Sequence, residues 1–150
     1  MRKEKCKMEK PTTESKKIMD GRFGRDTVLA LATVENGLPQ VRDVNAFYEE
    51  GSFYCITYGL SNKMRQIESN PAVAVAGEWF TAHGKGRSLG YFGKSENRAI
   101  AQTLKTVFAA WTDNGHNDFS DENTCILQIQ LTDGVLLSHG TRYAIDFTAI

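Results

Sequence analysis

The chain has 150 residues, 18 basic side chains against 18 acidic ones, and 41% apolar residues. A chain of this length buries roughly 70% of the surface its unfolded form exposes, enough for one core without disulfide staples. The balanced charge and a pI of 6.8 argue against a basic nucleic-acid-binding domain, and the longest apolar run, Thr27 to Val34, is too short to cross a bilayer.

Residues 1–20 carry seven basic and four acidic side chains. They read as a solvated basic leader ahead of a domain over 21–150, with Thr12 or Thr13 capping a helix that reaches about Gly21 and has Ile18 and Met19 as its apolar contacts. No apolar segment follows the first charges, so the start does not read as a signal peptide. Thr27 to Val34 is the first predicted strand, closed by the hairpin signal Asn36-Gly37. Gln40 to Tyr48 and Phe53 to Tyr58 follow as two more strands, turned by Glu49-Glu50-Gly51-Ser52. Ser61 reads as an N-cap for a helix over 62–69, which Asn70-Pro71 stops.

Ala72 to Trp79 is the fourth strand. Thr81 to Tyr91 is the fifth, where Gly84, Gly86 and Gly90 imply bulges or close packing. Ser95 is placed as the cap of a longer helix. Ile100, Leu104, Val107, Phe108 and Trp111 form its apolar stripe, and Asp113-Asn114-Gly115 its end. Thr124 to Leu131 alternates as a sixth strand, Thr132-Asp133-Gly134 is read as a turn, and Val135 to Ser138 and Tyr143 to Phe147 complete the set. Six to eight strands in hairpin order with two or three helices predict a mainly β, α+β fold, a small antiparallel barrel with flanking helices.

The most informative stretch for chemistry is Val41 to Pro71. Pairing Tyr48 with Phe53 sets Val44 opposite Thr57 and Arg42 opposite Gly59, with Arg42, Val44, Cys55 and Thr57 on one face. The helix N-terminus at Ser61 then adds a hydroxyl, free N–H groups and the Lys63 cation to the same corner. Two cations, two hydroxyls and a helix N-terminus make a phosphate site. The alternative is a plain cap with two solvated cations.

These residues also carry a family resemblance. Val41-Arg42-Asp43-Val44, then Phe53-Tyr-Cys-Ile-Thr57-Tyr58-Gly-Leu-Ser61-Asn-Lys63, and the close at Asn70-Pro71 resemble the pyridoxamine 5′-phosphate oxidase-like, FMN-binding split-barrel superfamily. The likeness runs over about residues 20–147, through Trp79, Ala82 to Gly86 and Leu131 to Tyr143. It implies a split barrel that holds FMN at a homodimer interface, with Arg42, Ser61 and Lys63 on the phosphate. The candidate cofactor residues are Arg42, Val44, Thr57, Tyr58, Ser61, Lys63 and Trp79. The true oxidases carry a second cation where this chain has Asn62, and an arginine-rich C-terminal segment absent here. The resemblance therefore leans to the short stress-protein and nitroimidazole-resistance branch and away from vitamin oxidation.

The implied function is an FMN-dependent oxidoreductase acting on a small molecule, with NADH or NADPH as a candidate donor, in the cytoplasm and with no nucleic-acid or membrane partner. The alternatives are a flavin- or tetrapyrrole-binding stress protein without turnover, and a barrel used only for protein contacts. No residue is assigned as a catalyst. His83, His116 and His139 have no metal-ligand spacing and read as structural groups, His83 being the one placed to edge a flavin pocket. Cys6, Cys55 and Cys125 form no C-x-x-C pair, so neither a metal nor a disulfide is expected. Trp111 reads as a core or dimer contact, and Gly84-Lys85-Gly86 lacks the context of a nucleotide loop.

Overall fold

The computed structural model describes residues 7–112 and 118–149. Helix α1 (Thr13–Phe23) leads into strands β1 (Thr27–Glu35), β2 (Leu38–Glu49) and β3 (Ser52–Tyr58). Helix α2 (Asn62–Ser69), strands β4 (Ala72–Gly77) and β5 (Phe80–Tyr91), helices α3 (Arg98–Val107) and α4 (Ala109–Thr112), and strands β6 (Thr124–Ser138) and β7 (Thr141–Asp146) follow. All strand pairs named above are antiparallel, in the order β3-β2-β1-β4-β5-β6-β7. A further pairing of β3 with β6 closes six strands into a barrel.

The connections follow local chemistry. Asn36–Gly37, Glu50–Gly51 and His139–Gly140 each hold two successive residues at positive φ, the twist that joins adjacent antiparallel strands without splaying them. Helix α1 starts at a reciprocal cap, in which the Ser15 N–H donates to Thr12 Oγ1 and the Thr12 N–H to Ser15 Oγ.

Inward residues of the strands alternate as period two requires. Leu29, Leu31, Phe53, Cys55, Val73, Val75, Ile129 and Leu131 fill the barrel with Met64 and Ile67 of α2. A second cluster lies outside the barrel, where Leu104 and Phe108 pack on Phe47, Phe92 and Ile126. The apolar stripe of the third predicted helix is thus buried as its spacing requires.

Four expectations are corrected. Helix α1 is capped by Thr12 and docks Ile18 and Met19 on the barrel core as expected, but it runs on to the buried Phe23, so the boundary at 20/21 falls inside it and the leader is part of the domain from Thr13. Thr132-Asp133-Gly134 is not a turn: β6 runs unbroken through it, and Thr132 is an extra residue in the register between His83 and Gly84 of β5. Ser95 does not cap a helix. It opens a 3₁₀ turn, α3 starts at Arg98, and the predicted single helix breaks at Phe108 into α3 and α4. Strands β2 and β3 pair at Tyr48–Phe53 as expected but only over three rungs, ending at Phe47–Tyr54, so Val44 does not face Thr57 nor Arg42 Gly59. Beyond that point β3 stays on β6 for the last four of its seven rungs, Cys55 to Tyr58, and β2 stays on β1 over nine. The predicted end of the long helix at 113–115 and His116 lie outside the described residues.

Candidate functional site

The parting of β2 from β3 builds the site. Arg42 and Val44 point inward on β2, Cys55 and Thr57 on β3, and the gap between the strands is left without ladder bonds. Gly59 carries the chain across β6, its N–H donating to Asn123 O, where a Cβ would stand 2.8 Å from Cys125 Sγ. The chain turns at Ser61, whose N–H donates to Tyr58 O, and enters α2. Buried Met64 and Ile67 anchor α2 in the barrel core and thereby fix where its N-terminus lies.

Arg42 is held from two sides. Its Nη1 donates to Thr33 Oγ1 at 2.7 Å and its Nη2 to Gln66 Oε1 at 2.8 Å. Thr33 Oγ1 donates in turn to Gln66 Oε1 at 2.6 Å, and Gln66 Nε2 donates to Glu35 Oε2 at 2.8 Å. Arg65 pairs with the other oxygen of Glu35 at 2.6 Å, and these bonds hold the Glu35 carboxyl below its usual range.

Lys63 is half-buried. Burial pushes its ammonium below the ordinary lysine range, and the nearby Arg42 charge adds to that, while Cys55 opposes it. Burial pushes the Cys55 thiol up to about 12, with the Lys63 charge acting against it. Arg42 is lowered from its usual value by burial alone. The corner therefore concentrates positive charge in a partly dry setting.

Two hydroxyls there have no partner. Thr57 Oγ1 and Ser61 Oγ are both buried and unbonded. Ser61 stands at the N-cap position with extended backbone, yet its side chain makes no cap bond. The sequence assigns it that bond, and the structure leaves the hydroxyl and the first-turn N–H groups available instead. A buried hydroxyl without a bond costs stability unless a ligand satisfies it. A phosphate monoester offers the acceptor oxygens and negative charge that two such hydroxyls, two cations and a helix N-terminus require, so the residues fit that group.

Arg42 and Lys63 are near enough for their charges to interact, Lys63 also senses Cys55, which shares the inward face of β3 with Thr57, and Ser61 directly precedes the helix that carries Lys63. Val44 is partly buried against the barrel core, and Tyr58, 52% exposed, faces out beside Thr57. Trp79 is elsewhere in the chain. It lies in the β4–β5 turn, 68% exposed and at positive φ, with its carbonyl accepting from the Leu137 N–H near the far end of β6. Tyr58 pairs with Thr124 at the near end.

Sequence reasoning missed Thr33 and Gln66. Both are polar yet buried, Thr33 continuing the inward series Leu29, Leu31 and Gln66 lying beside Ile67. A polar residue at a position that the pattern assigns to the core was the available signal.

The remaining candidates fall as follows. His83 is exposed, with Nδ1 2.9 Å from Asp133 Oδ1, and His139 sits in a hairpin turn. Trp111 packs on Phe108 and donates to Asp26. Gly84 and Gly86 make room for close packing: a Cβ on Gly84 would meet Gln130 O at 2.6 Å, and one on Gly86 would meet Ile67 of α2 at 2.9 Å. Cys55 and Cys125 are free. Among the described residues no group of three or more His, Cys, Asp or Glu could hold a metal, and no helix is long and apolar enough to cross a membrane.

No protein-family model matches the sequence, and no curated protein matches it. Solved structures do match the fold. An FAD-binding protein from Mesorhizobium loti aligns with 83% of this chain and 91% of its own, at 16% identity and a TM-score of 0.63. A NimC/NimA family protein from Clostridium acetobutylicum aligns over 86% and 92%, at 18% identity and a TM-score of 0.65. A heme binding protein from Mycobacterium smegmatis aligns over 83% of this chain and 55% of its own, at 14% identity and a TM-score of 0.63. At such identities the likeness is one of architecture: the chain shares with these proteins a small, closed six-strand antiparallel split barrel with flanking helices.

Proposed function

We propose that this protein is an FMN-binding flavoprotein that transfers electrons or hydride to a small molecule, with the corner of Arg42, Thr57, Ser61 and Lys63 holding the phosphate. The observation that carries this reading is the pair of buried, unbonded hydroxyls on Thr57 and Ser61 beside two partly desolvated cations. Bound there, FMN would supply reversible two-electron chemistry. Arg42 and Lys63 would neutralise the phosphate, the two hydroxyls would donate to its oxygens, and the α2 N-terminus would add its dipole. The FAD-binding neighbour from Mesorhizobium loti supports a flavin in this fold. NADH or NADPH is the proposed donor, and the cytoplasm the proposed compartment.

The same reading makes the protein a homodimer. The outer face of β1, β2 and β4 exposes Val28 and Val41 next to a groove of about 350 Å³ lined by Ala30, Ala32, Ala74 and Ala76. A second copy would cover this apolar surface. Sedimentation should give about twice the chain mass, and Val41→Asp should shift it toward monomer.

One neighbour favours a second reading. The heme binding protein from Mycobacterium smegmatis supports a tetrapyrrole carrier without turnover. The experiment is titration of the purified protein with FMN, riboflavin and hemin, followed by NADH and NADPH. Saturable FMN binding, tighter than riboflavin, with bleaching by a nicotinamide and reoxidation in air, is expected. Hemin binding with no flavin binding would replace the first reading by the second.

A further inference from the structure

We propose that Gln66 is a positioning residue: with Thr33 it aims Arg42 at the anion corner while leaving its charge unspent. The inference rests on the reading of that corner as a phosphate site. An arginine side chain has several rotatable bonds, and ordering it at the moment of binding costs affinity. Here the guanidinium is ordered in advance, by Thr33 Oγ1 at 2.7 Å and Gln66 Oε1 at 2.8 Å.

The network fixes its own polarity. Gln66 Oε1 accepts from both Arg42 and Thr33, and Gln66 Nε2 donates to the Glu35 carboxylate. Turning the amide over would set its NH₂ against the Arg42 donor and its oxygen against the Glu35 oxygen. Thr33 is fully buried and Gln66 is 5% exposed, so solvent does not compete for these bonds.

The chemistry of residue 66 matters as much as its geometry. A carboxylate at this position would bind Arg42 more strongly and also neutralise it. The amide separates the Arg42 cation from the Glu35 anion, which is spent on Arg65 at 2.6 Å. Arg42 is thus held by neutral acceptors and keeps its full charge for a ligand, beside Lys63, whose ammonium the Arg42 charge helps to depress. Holding without neutralising is what a glutamine gives and a glutamate does not.

The test compares binding of FMN and riboflavin by fluorescence titration in wild type, Arg42→Ala, Gln66→Met, Gln66→Glu, Thr33→Val and Thr33→Ser. Gln66→Met and Gln66→Glu should each weaken FMN by about tenfold, while riboflavin stays within about twofold. Thr33→Ser keeps the hydroxyl and should retain FMN binding, whereas Thr33→Val should lose it in the same phosphate-dependent way. The serine and valine pair decides the matter if the Gln66 variants do not fold. Equal losses for both flavins, or full FMN affinity in Gln66→Met, would overturn the proposal. If Arg42→Ala itself shows no FMN-specific loss, the phosphate reading of the corner falls first. If Arg42→Ala shows it and the Gln66 and Thr33 variants do not, only the positioning role falls.

Discussion

Tyr48 on β2 stands opposite Phe53 on β3, their rings 5.3 Å apart and edge to face, one rung before the two strands separate. The pair is a clasp at the base of the split. Phe53 is fully buried and also meets Phe23 edge to face at 5.6 Å, while the Tyr48 hydroxyl accepts from the Gly51 N–H at 3.0 Å. Phe53→Ala should cost about 3–5 kcal/mol and Tyr48→Phe about 1 kcal/mol, read as shifts in the urea midpoint. A Phe53→Ala protein as stable as wild type would contradict the placement of this clasp.

Thr57 and Ser61 give a prediction with opposite signs in the two states. Each hydroxyl is buried without a bond in the ligand-free chain. Thr57→Val should raise the stability of the apoprotein by about 1 kcal/mol, since it removes an unsatisfied polar group with little change of shape. Ser61→Ala should leave the fold nearly unchanged, because no cap bond is lost. Both should weaken FMN and spare riboflavin, and Arg42→Ala or Lys63→Ala should weaken FMN by roughly ten- to a hundredfold. Differential scanning fluorimetry of the apoproteins, alongside flavin titration, checks both halves.

FMN affinity should be bell-shaped in pH. Below about pH 6 a phosphate monoester takes up its second proton and loses half of its charge. On the alkaline side, burial makes Lys63 give up its proton earlier than an ordinary lysine, and binding falls as it does. The sign for the apoprotein is the reverse. The folded chain releases that proton before the unfolded chain, so the unfolded state binds more protons across this window and apoprotein stability rises with pH there. Riboflavin affinity should be flat through both limbs, and isothermal titration at a series of pH values distinguishes the ligands.

Gly86 couples a strand to the corner. A methyl there would press on Ile67 Cγ2 at 2.9 Å, on the helix that carries Lys63, Arg65 and Gln66. Gly86→Ala should cost about 1–3 kcal/mol by overpacking and should also weaken FMN, since relief requires α2 to shift. Gly84→Ala meets the Gln130 carbonyl at 2.6 Å, backbone that has less room to yield. A larger drop in melting temperature is expected for it than for Gly86→Ala.

Local chemistry was the legible part of the sequence. The Asn36-Gly37 turn, the bounds of α2 and the Tyr48–Phe53 rung follow from residues that are neighbours in the chain. What failed depends on distant partners. Whether β3 stays on β2 is decided by its seven rungs with β6, which no hairpin rule contains. Thr132-Asp133-Gly134 has turn composition, yet Asp133 is occupied by His83 and Thr132 donates to the His83 carbonyl, so the stretch remains strand. At the site, the charged and hydroxyl residues were legible from the motif. The network that holds Arg42 was not, because Thr33 and Gln66 come from separate elements and meet only after the barrel closes.

Strand β6 serves β3 with its first half and β7 with its second. During synthesis on the ribosome, β3 emerges roughly seventy residues before the segment that closes the barrel against it. Until then the nascent chain presents an open strand edge with Phe53 and Cys55 uncovered, the kind of edge that recruits other chains. A translational pause or truncation ahead of Thr124 should therefore yield aggregates and not a smaller soluble barrel. The anion corner, whose Thr57 lies on that same edge, would be among the last features to mature.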